Sequence, residues 1–271
     1  MRIASWNVNS LRSRLAQVLA WLERERVEVL CLQETKVDDP LFPHAPFAAM
    51  NYGAVISGQK AYNGVAILST LPLEDVDIGF DALLEDEEAE RLSVQKRLIS
   101  ARVGGIRVLN LYVPNGAELG SPKYAYKLGW LHCLARYLAA RPMDDGPLCM
   151  VGDFNIAPED RDLHAPERLR GRIMASAAER DALGAVLADG LKDVFRRFEQ
   201  DSGHWSWWDY RSRAWERDRG WRIDHIYLDE PLYAAAETCV MHRSARGEDK
   251  PSDHVPVVVT LSPNAAAASG W

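Results

Sequence analysis

Residues 97–113 read RLISARVGGIRVLNLYV, two apolar runs of strand length separated by a pair of glycines. Glycines tolerate the positive φ that a tight hairpin turn demands, so 97–103 and 106–113 are expected to pair as an antiparallel hairpin. A parallel crossover would need a dozen or more residues at this point, commonly a helix. Working outward, further strands are expected at 2–7, 27–33, 53–57, 64–69, 148–152, 222–228 and 255–261. One helix carries Leu11, Leu15, Val18, Leu19 and Leu22 on a single face. Another opens at Ser121-Pro122, a capping serine followed by proline in the first helical position, and a third covers 179–187. This alternation argues against a doubly wound parallel sheet. It favours an α/β sandwich of two packed mixed sheets with helices outside.

At 271 residues and 47% hydrophobic, the chain is long enough to bury a sizeable core. Residues 1–261 are expected to form one domain, and 262–271, with its run of four alanines, a disordered tail. No apolar run approaches the ~20 residues needed to span a bilayer. The first fourteen residues lack the apolar core of a secretory signal, so a cytoplasmic protein with no membrane association is expected. Cys31, Cys133, Cys149 and Cys239 form no CxxC pair, and three lie in apolar stretches, which reads as buried free thiols. A net charge of −7 argues against a protein that coats nucleic acid by electrostatics alone. The charge is uneven, however. Residues 81–90 hold six acids and no base, whereas 205–222 hold five arginines against three acids.

Polar residues stand where apolar runs begin or end: Asn7 and Asn9, Gln33-Glu34-Thr35, Asn110 to Asn115, Asp153 and Asn155, Asp224-His225, and Asp253-His254. Singly, each is an ordinary turn former, cap or structural histidine. Together they occupy the places where a rigid sheet presents side chains in common. If they converge, Glu34, Asp153, Asp224 and Asp253 put four carboxylates near one site. Two such charges at 4 Å repel by roughly 4 kcal/mol at an effective dielectric of 20. They must share protons, pair with a cation or hold a metal, and oxygen ligands select Mg²⁺, Mn²⁺ or Ca²⁺ over zinc.

The strings WNVNSLR at 6–12, LQETK at 32–36, NLYVPNG at 110–116, GDFNIAP at 152–158, RGWRIDHIYL at 219–228 and PSDHVPV at 251–257 occur in one order. In this the chain resembles the exonuclease III family of apurinic/apyrimidinic endonucleases, within the endonuclease/exonuclease/phosphatase superfamily. The similarity runs from Arg2 to Leu261. GDFN and SDH speak for the superfamily, while LQETK, DYRS at 209–212 and RGWRID point to the repair branch.

The resemblance implies a four-layered sandwich like deoxyribonuclease I and a Mg²⁺-dependent phosphodiesterase for which Mn²⁺ can substitute. It implies Glu34 as principal metal ligand with Asn7 and Asp253 close by, and it leaves the share of Asn9 open. Asp153 is implied as the general base that deprotonates water, fixed by Asn155, which also donates to the phosphate. His254, oriented by Asp224, would donate to a non-bridging oxygen, with Tyr112 and Asn115 as further donors. Asp153, Asn155 and His254 could themselves hold a second or relocated cation, so the metal count stays open.

The 205–222 segment holds five of the nine tryptophans among its arginines. Trp205 and Trp208 read as core. The remaining interleaving of aromatic and Arg suits DNA, with Tyr210 and Arg211 as contacts. By resemblance, Trp207 and Trp221 would line a pocket for an extruded abasic sugar. Arg97, Lys123 and Lys127 are weaker phosphate-contact candidates, and Lys127 reads equally well as a solvated helix face. The expected partner is double-stranded DNA with abasic or blocked 3′ ends, acted on by a monomer. The expected activities are incision 5′ to abasic sites, 3′-phosphatase, 3′-phosphodiesterase and 3′→5′ exonuclease. Two alternatives are a superfamily phosphatase acting on a non-DNA phosphoester and a non-catalytic nucleic-acid-binding relative. The first would have no use for DYRS and RGWRID. The second should have lost some of Glu34, Asp153, Asn155, Asp224, Asp253 and His254, all of which are present.

Overall fold

In a computed structural model, residues 1–142 and 145–263 are described, so the expected tail lies outside them apart from Ser262 and Pro263. The strands are β1 (Arg2–Asn7), β2 (Val29–Gln33), β3 (Gly53–Ser57), β4 (Val65–Ser69), β5 (Glu74–Ile78), β6 (Leu98–Val103), β7 (Ile106–Tyr112), β8 (Leu148–Asp153), β9 (Lys192–Asp193), β10 (Asp224–Leu228), β11 (Ala236–Met241) and β12 (Val257–Leu261). They form two six-stranded mixed sheets, ordered β11-β12-β1-β2-β4-β3 and β5-β6-β7-β8-β10-β9. The hairpin of residues 97–113 is present with Val103 opposite Ile106. Gly104 and Gly105 take φ of 56° and 82°, the positive pair that this turn requires.

The central strands are buried on both faces, which is why they read as nearly continuous apolar runs. Ile3, Val29, Cys31 and Ile67 of one sheet meet Ile99, Val108, Cys149 and Ile226 of the other in a fully buried core. On the outer face of the first sheet, Trp6, Leu30 and Leu32 pack with Val18, Trp21 and Leu22 of the Leu11–Glu25 helix. On the outer face of the second, Leu109, Leu111 and Met150 meet Trp130, Leu131 and Leu134 of the Pro122–Ala139 helix and Leu183 of the Ala177–Val186 helix. The result is the four-layered sandwich of two sheets and flanking helices. Ser121 and Ser176 cap those last two helices, each accepting the backbone N–H three residues on. All four cysteines are free and buried. No helix among the described residues is long and apolar enough to cross a membrane.

One polar link crosses the inter-sheet core. Gln33 Nε2 donates to Asn110 Oδ1 at 2.7 Å and to Ser5 Oγ at 3.0 Å, and Asn110 Nδ2 donates to the carbonyls of Leu32 and Ala66. Buried amides are costly unless paired, so this link favours one alignment of the two sheets. It lies directly beneath the strand ends that carry the polar residues.

Candidate active site

The first sheet brings Asn7 at the end of β1, Glu34 just past β2, and Asp253-His254 ahead of β12 to one edge. The second sheet brings Tyr112, Asp153 and Asp224 to the facing edge, where Asp153 is the register partner of both others. Gly152 makes this possible. A β-carbon there would sit 2.0 Å from the Leu111 carbonyl oxygen, so only glycine lets β8 run this close to β7 before Asp153. Glu34, Lys36, Asn9 and Asn155 all have positive φ, between 44° and 52°. Such backbone costs on the order of 1 kcal/mol or more per non-glycine residue, and strain of this kind clusters where side chains must be aimed. Backbone bonds from Ser10 and Leu11 to the carbonyls of Glu34 and Thr35 tie the two loops together.

Asp153 is the hub. Its Oδ1 accepts the Asn155 backbone N–H at 2.9 Å, and its Oδ2 accepts Asn7 Nδ2 at 2.8 Å and Asn155 Nδ2 at 3.2 Å. His254 Nε2 lies 3.7 Å from the same Oδ2, while its Nδ1 sits 2.8 Å from Asp224 Oδ2. Burial works against a charge on His254, but Asp224 and Asp153 outweigh it and push the pKa up to about 10. Burial pushes Asp153 up to about 7, even though the charge of His254 and the Asn7 hydrogen bond oppose that rise. Burial, with the charge of Glu34, likewise holds the Tyr112 hydroxyl well above its ordinary value, so it remains a donor.

Glu34, Asp153 and His254 offer ligand atoms that all lie within 4.8 Å of one another. Asn7 Nδ2 also donates to Glu34, at 2.9 Å, and Lys36 Nζ stands 2.8 Å from the other Glu34 oxygen. Of the six residues expected at a metal, Glu34 and Asp153 carry the acceptors, and His254, charged through its pairing with Asp224, stands beside them as a donor. Asn7 and Asn155 turn donor nitrogens toward them. Asp253 stands outside the group, accepting from Trp207 Nε1 at 2.9 Å and from Asn9 Nδ2 at 3.0 Å. Asn115 reaches in to donate to Asn155 Oδ1.

An aromatic wall adjoins this centre. Trp207 bridges in β fashion to both Trp221 and His254, with ring centroids 6.3 and 6.4 Å away. Trp205 and Trp208 are core, as read, and Gly220 has no room for a side chain beneath the Trp205 ring. On the opposite flank, Arg97 stacks over Tyr112 at 4.5 Å and lines a groove of about 670 Å³ with Tyr62, Asn115, Lys123 and Tyr126. Tyr210 and Arg211 are exposed on the rim.

Two basic residues are not where DNA would meet them. Arg222 is fully buried, its guanidinium divided between Asp162 and Asp193, with Arg196 on the same Asp162. Lys127 is fully buried against Glu179, so it is neither a phosphate contact nor a solvated face. Two serines that the sequence does not single out, Ser206 and Ser252, also order the site. Ser206 Oγ accepts the N–H groups of Ile223 and Asp224, and Ser252 Oγ donates to the Asn7 carbonyl while accepting the His254 N–H. Ser252 adjoins Asp253-His254 in sequence, the one available hint.

Residues 4–254 match the model of the endonuclease/exonuclease/phosphatase family. The chain belongs to that family. Exodeoxyribonuclease III of Haemophilus influenzae is 33% identical over 272 residues, spanning 95% of this chain and 98% of that one. The exodeoxyribonuclease of Bacillus subtilis is 31% identical over 97% of this chain and all of its own length. An AP endonuclease from Archaeoglobus fulgidus superposes with a TM-score of 0.90 at 39% identity, covering 97% of this chain and 99% of that chain. A 3′ phosphatase from Neisseria, solved with a product DNA hairpin, does so with the same score and identity, covering 96% and 99%. Within the endonuclease/exonuclease/phosphatase family, the protein is therefore a hydrolase, a nuclease of the exonuclease III and AP endonuclease type.

Proposed function

We propose that the protein is a Mg²⁺-dependent DNA-repair phosphodiesterase that cuts the backbone 5′ to abasic sites by direct attack of water. On this reading it also removes 3′-phosphates and 3′-phosphodiesters and degrades 3′ ends. The observation that carries it is the contact of Trp207 with His254, which sets an apolar wall beside a buried acid–histidine pair. An unstacked sugar held against Trp207 and Trp221 leaves its 5′ phosphate over Asp153 and His254. A normal nucleotide would have to find room for its base as well, and extrusion costs least where the base is missing.

The donor set fits a small hard cation. Two carboxylates, Glu34 and Asp153, converge, and Mg²⁺ commonly takes one or two carboxylates and completes its shell with water and substrate phosphate. Glu34 and Asp153 would hold it, with Asn7 setting both carboxylates; bound there, Mg²⁺ stabilises the departing 3′ oxygen, and Mn²⁺ can replace it. Asp153 takes the proton of the attacking water, and Asn155 aims it. His254, kept charged by Asp224, donates to a non-bridging oxygen as negative charge grows in the transition state, and Tyr112 and Asn115 add donors. No side chain here is needed as a covalent nucleophile. Arg97, Tyr210 and Arg211 hold flanking phosphates. Every group named comes from a single chain, so a monomer suffices.

Incubation of the protein with an abasic duplex and Mg²⁺ tests this reading. Incision on the 5′ side of the lesion, abolished by EDTA, is expected; no incision above the EDTA control would sink it. A side-by-side assay on abasic, 3′-phosphate and blunt duplexes ranks the activities.

A further inference from the structure

We infer that Lys127 is a positioning residue for hydrolysis, acting through Asn155. The inference deepens the reading above: it rests on the hydrolytic site and not on the preference for abasic DNA. Lys127 lies in the second turn of the Pro122–Ala139 helix and has no solvent exposure. Its ammonium donates to the backbone carbonyl of Asn155 at 2.7 Å, to that of Asn115 at 3.3 Å and to Glu179 Oε1 at 2.5 Å. Glu179, equally buried, accepts the backbone N–H groups of Met174 and Ser176 and the Ser176 hydroxyl. One buried ion pair thus fixes three loops at the rim of the site.

The Asn155 contact matters most. Asn155 has φ of 51°, and this left-handed turn brings its backbone N–H and its side-chain Nδ2 onto the two oxygens of Asp153. The turn also points the Asn155 carbonyl away from the site and into the protein, where an unpaired carbonyl is unfavourable. Lys127 satisfies it with a charged donor. Removing the ammonium frees that carbonyl, relaxes the turn and loosens two of the donors that aim Asp153. The same ammonium steadies Asn115, whose Nδ2 donates to Asn155 Oδ1. No group on Lys127 touches the reacting atoms, so its effect passes through the asparagines.

The test is a double-mutant cycle on any DNA end that the parent protein degrades. Lys127→Met keeps the stem and removes the charge. Expected is a fall in kcat of about 10–100-fold, the usual scale for removing a residue that supports a catalytic group, with KM changed little. In an Asn155→Ala background the same substitution should cost little further, because the groups act in series. Additive losses, or a kcat near that of the parent, would overturn the inference. Lys127→Met leaves Glu179 buried and unpaired, so the paired variant Lys127→Met/Glu179→Gln is run in parallel. Recovery of Tm with kcat still low supports positioning; recovery of both overturns it. Amide hydrogen exchange at Asn155 supplies a readout that needs no substrate. Its protection should fall in both variants, and unchanged protection overturns the inference even if the parent protein proves inactive on abasic DNA.

Discussion

Asp224 grips His254 with both carboxylate oxygens, which lie 3.0 and 2.8 Å from Nδ1, and both side chains are buried. The pairing fixes the orientation of the imidazole and favours its charged form, which on the proposed reading faces the phosphate. Asp224→Asn should therefore lower kcat by about 10²–10³-fold, the scale for losing one preorganised transition-state donor, with DNA affinity nearly unchanged. Single-turnover incision together with a filter-binding isotherm checks both halves.

Asp153→Asn keeps the shape of the hub and removes the carboxylate proposed as the base. Incision should vanish while DNA binding persists; an active Asp153→Asn protein would refute the assignment of the base.

Trp207 stands beside His254, and Trp221, largely buried among Leu163, Ala175 and Ile223, stands beside Trp207. Trp221→Ala should weaken abasic incision by about 10–100-fold, in line with ~1–3 kcal/mol for one stacking surface, and should affect 3′-phosphate removal less. Equal losses on both substrates would remove the aromatic wall as the source of lesion preference.

Arg211 is exposed and, among the described residues, pairs only with neighbouring Asp209, a surface contact of small worth to stability. Arg211→Ala should leave Tm unchanged and raise Kd for DNA. It should also flatten the slope of log Kd against log salt by about one, as expected when one phosphate contact is lost.

Asp162 governs acid stability beneath the tryptophan segment. Its burial opposes ionisation, but Arg222 and Arg196 outweigh that and hold the carboxyl down at about 2 from an ordinary 3.8. A depressed folded-state value stabilises the protein above the ordinary value, and the gain is lost as pH falls from about 4 through 2. The shift is worth about 2 kcal/mol. Asp162→Asn should lower Tm at pH 7, and its deficit should shrink as pH drops through that window. A constant deficit would contradict the ion-pair account.

The sandwich was legible because hairpin glycines and two-faced apolar strands are local signals, and the convergent polar residues were legible because they sit at strand ends. β5 was not, since an exposed edge strand reading EDVDI needs no apolar face. Arg222 counted as basic surface because its partners, Asp162 and Asp193, lie far back in the chain, where a count of local charge does not find them. Lys127 left a trace. It falls in register with Trp130, Leu131 and Leu134 on the apolar face of its helix, and a charge there signals a buried partner. The split between Glu34 and Asp253 needed three dimensions, because only the fold puts Trp207 and Asn9 on Asp253.

The amide link between Gln33 and Asn110 joins two sheets that hold different halves of the chemistry. Asn7 and Glu34 are made near the start of the chain, Asp153 and Asp224 in its second half, and His254 almost at its end. A half-docked chain therefore leaves His254 without Asp224 and Asp153 without Asn7. The candidate catalytic set is therefore complete only once the two sheets have docked.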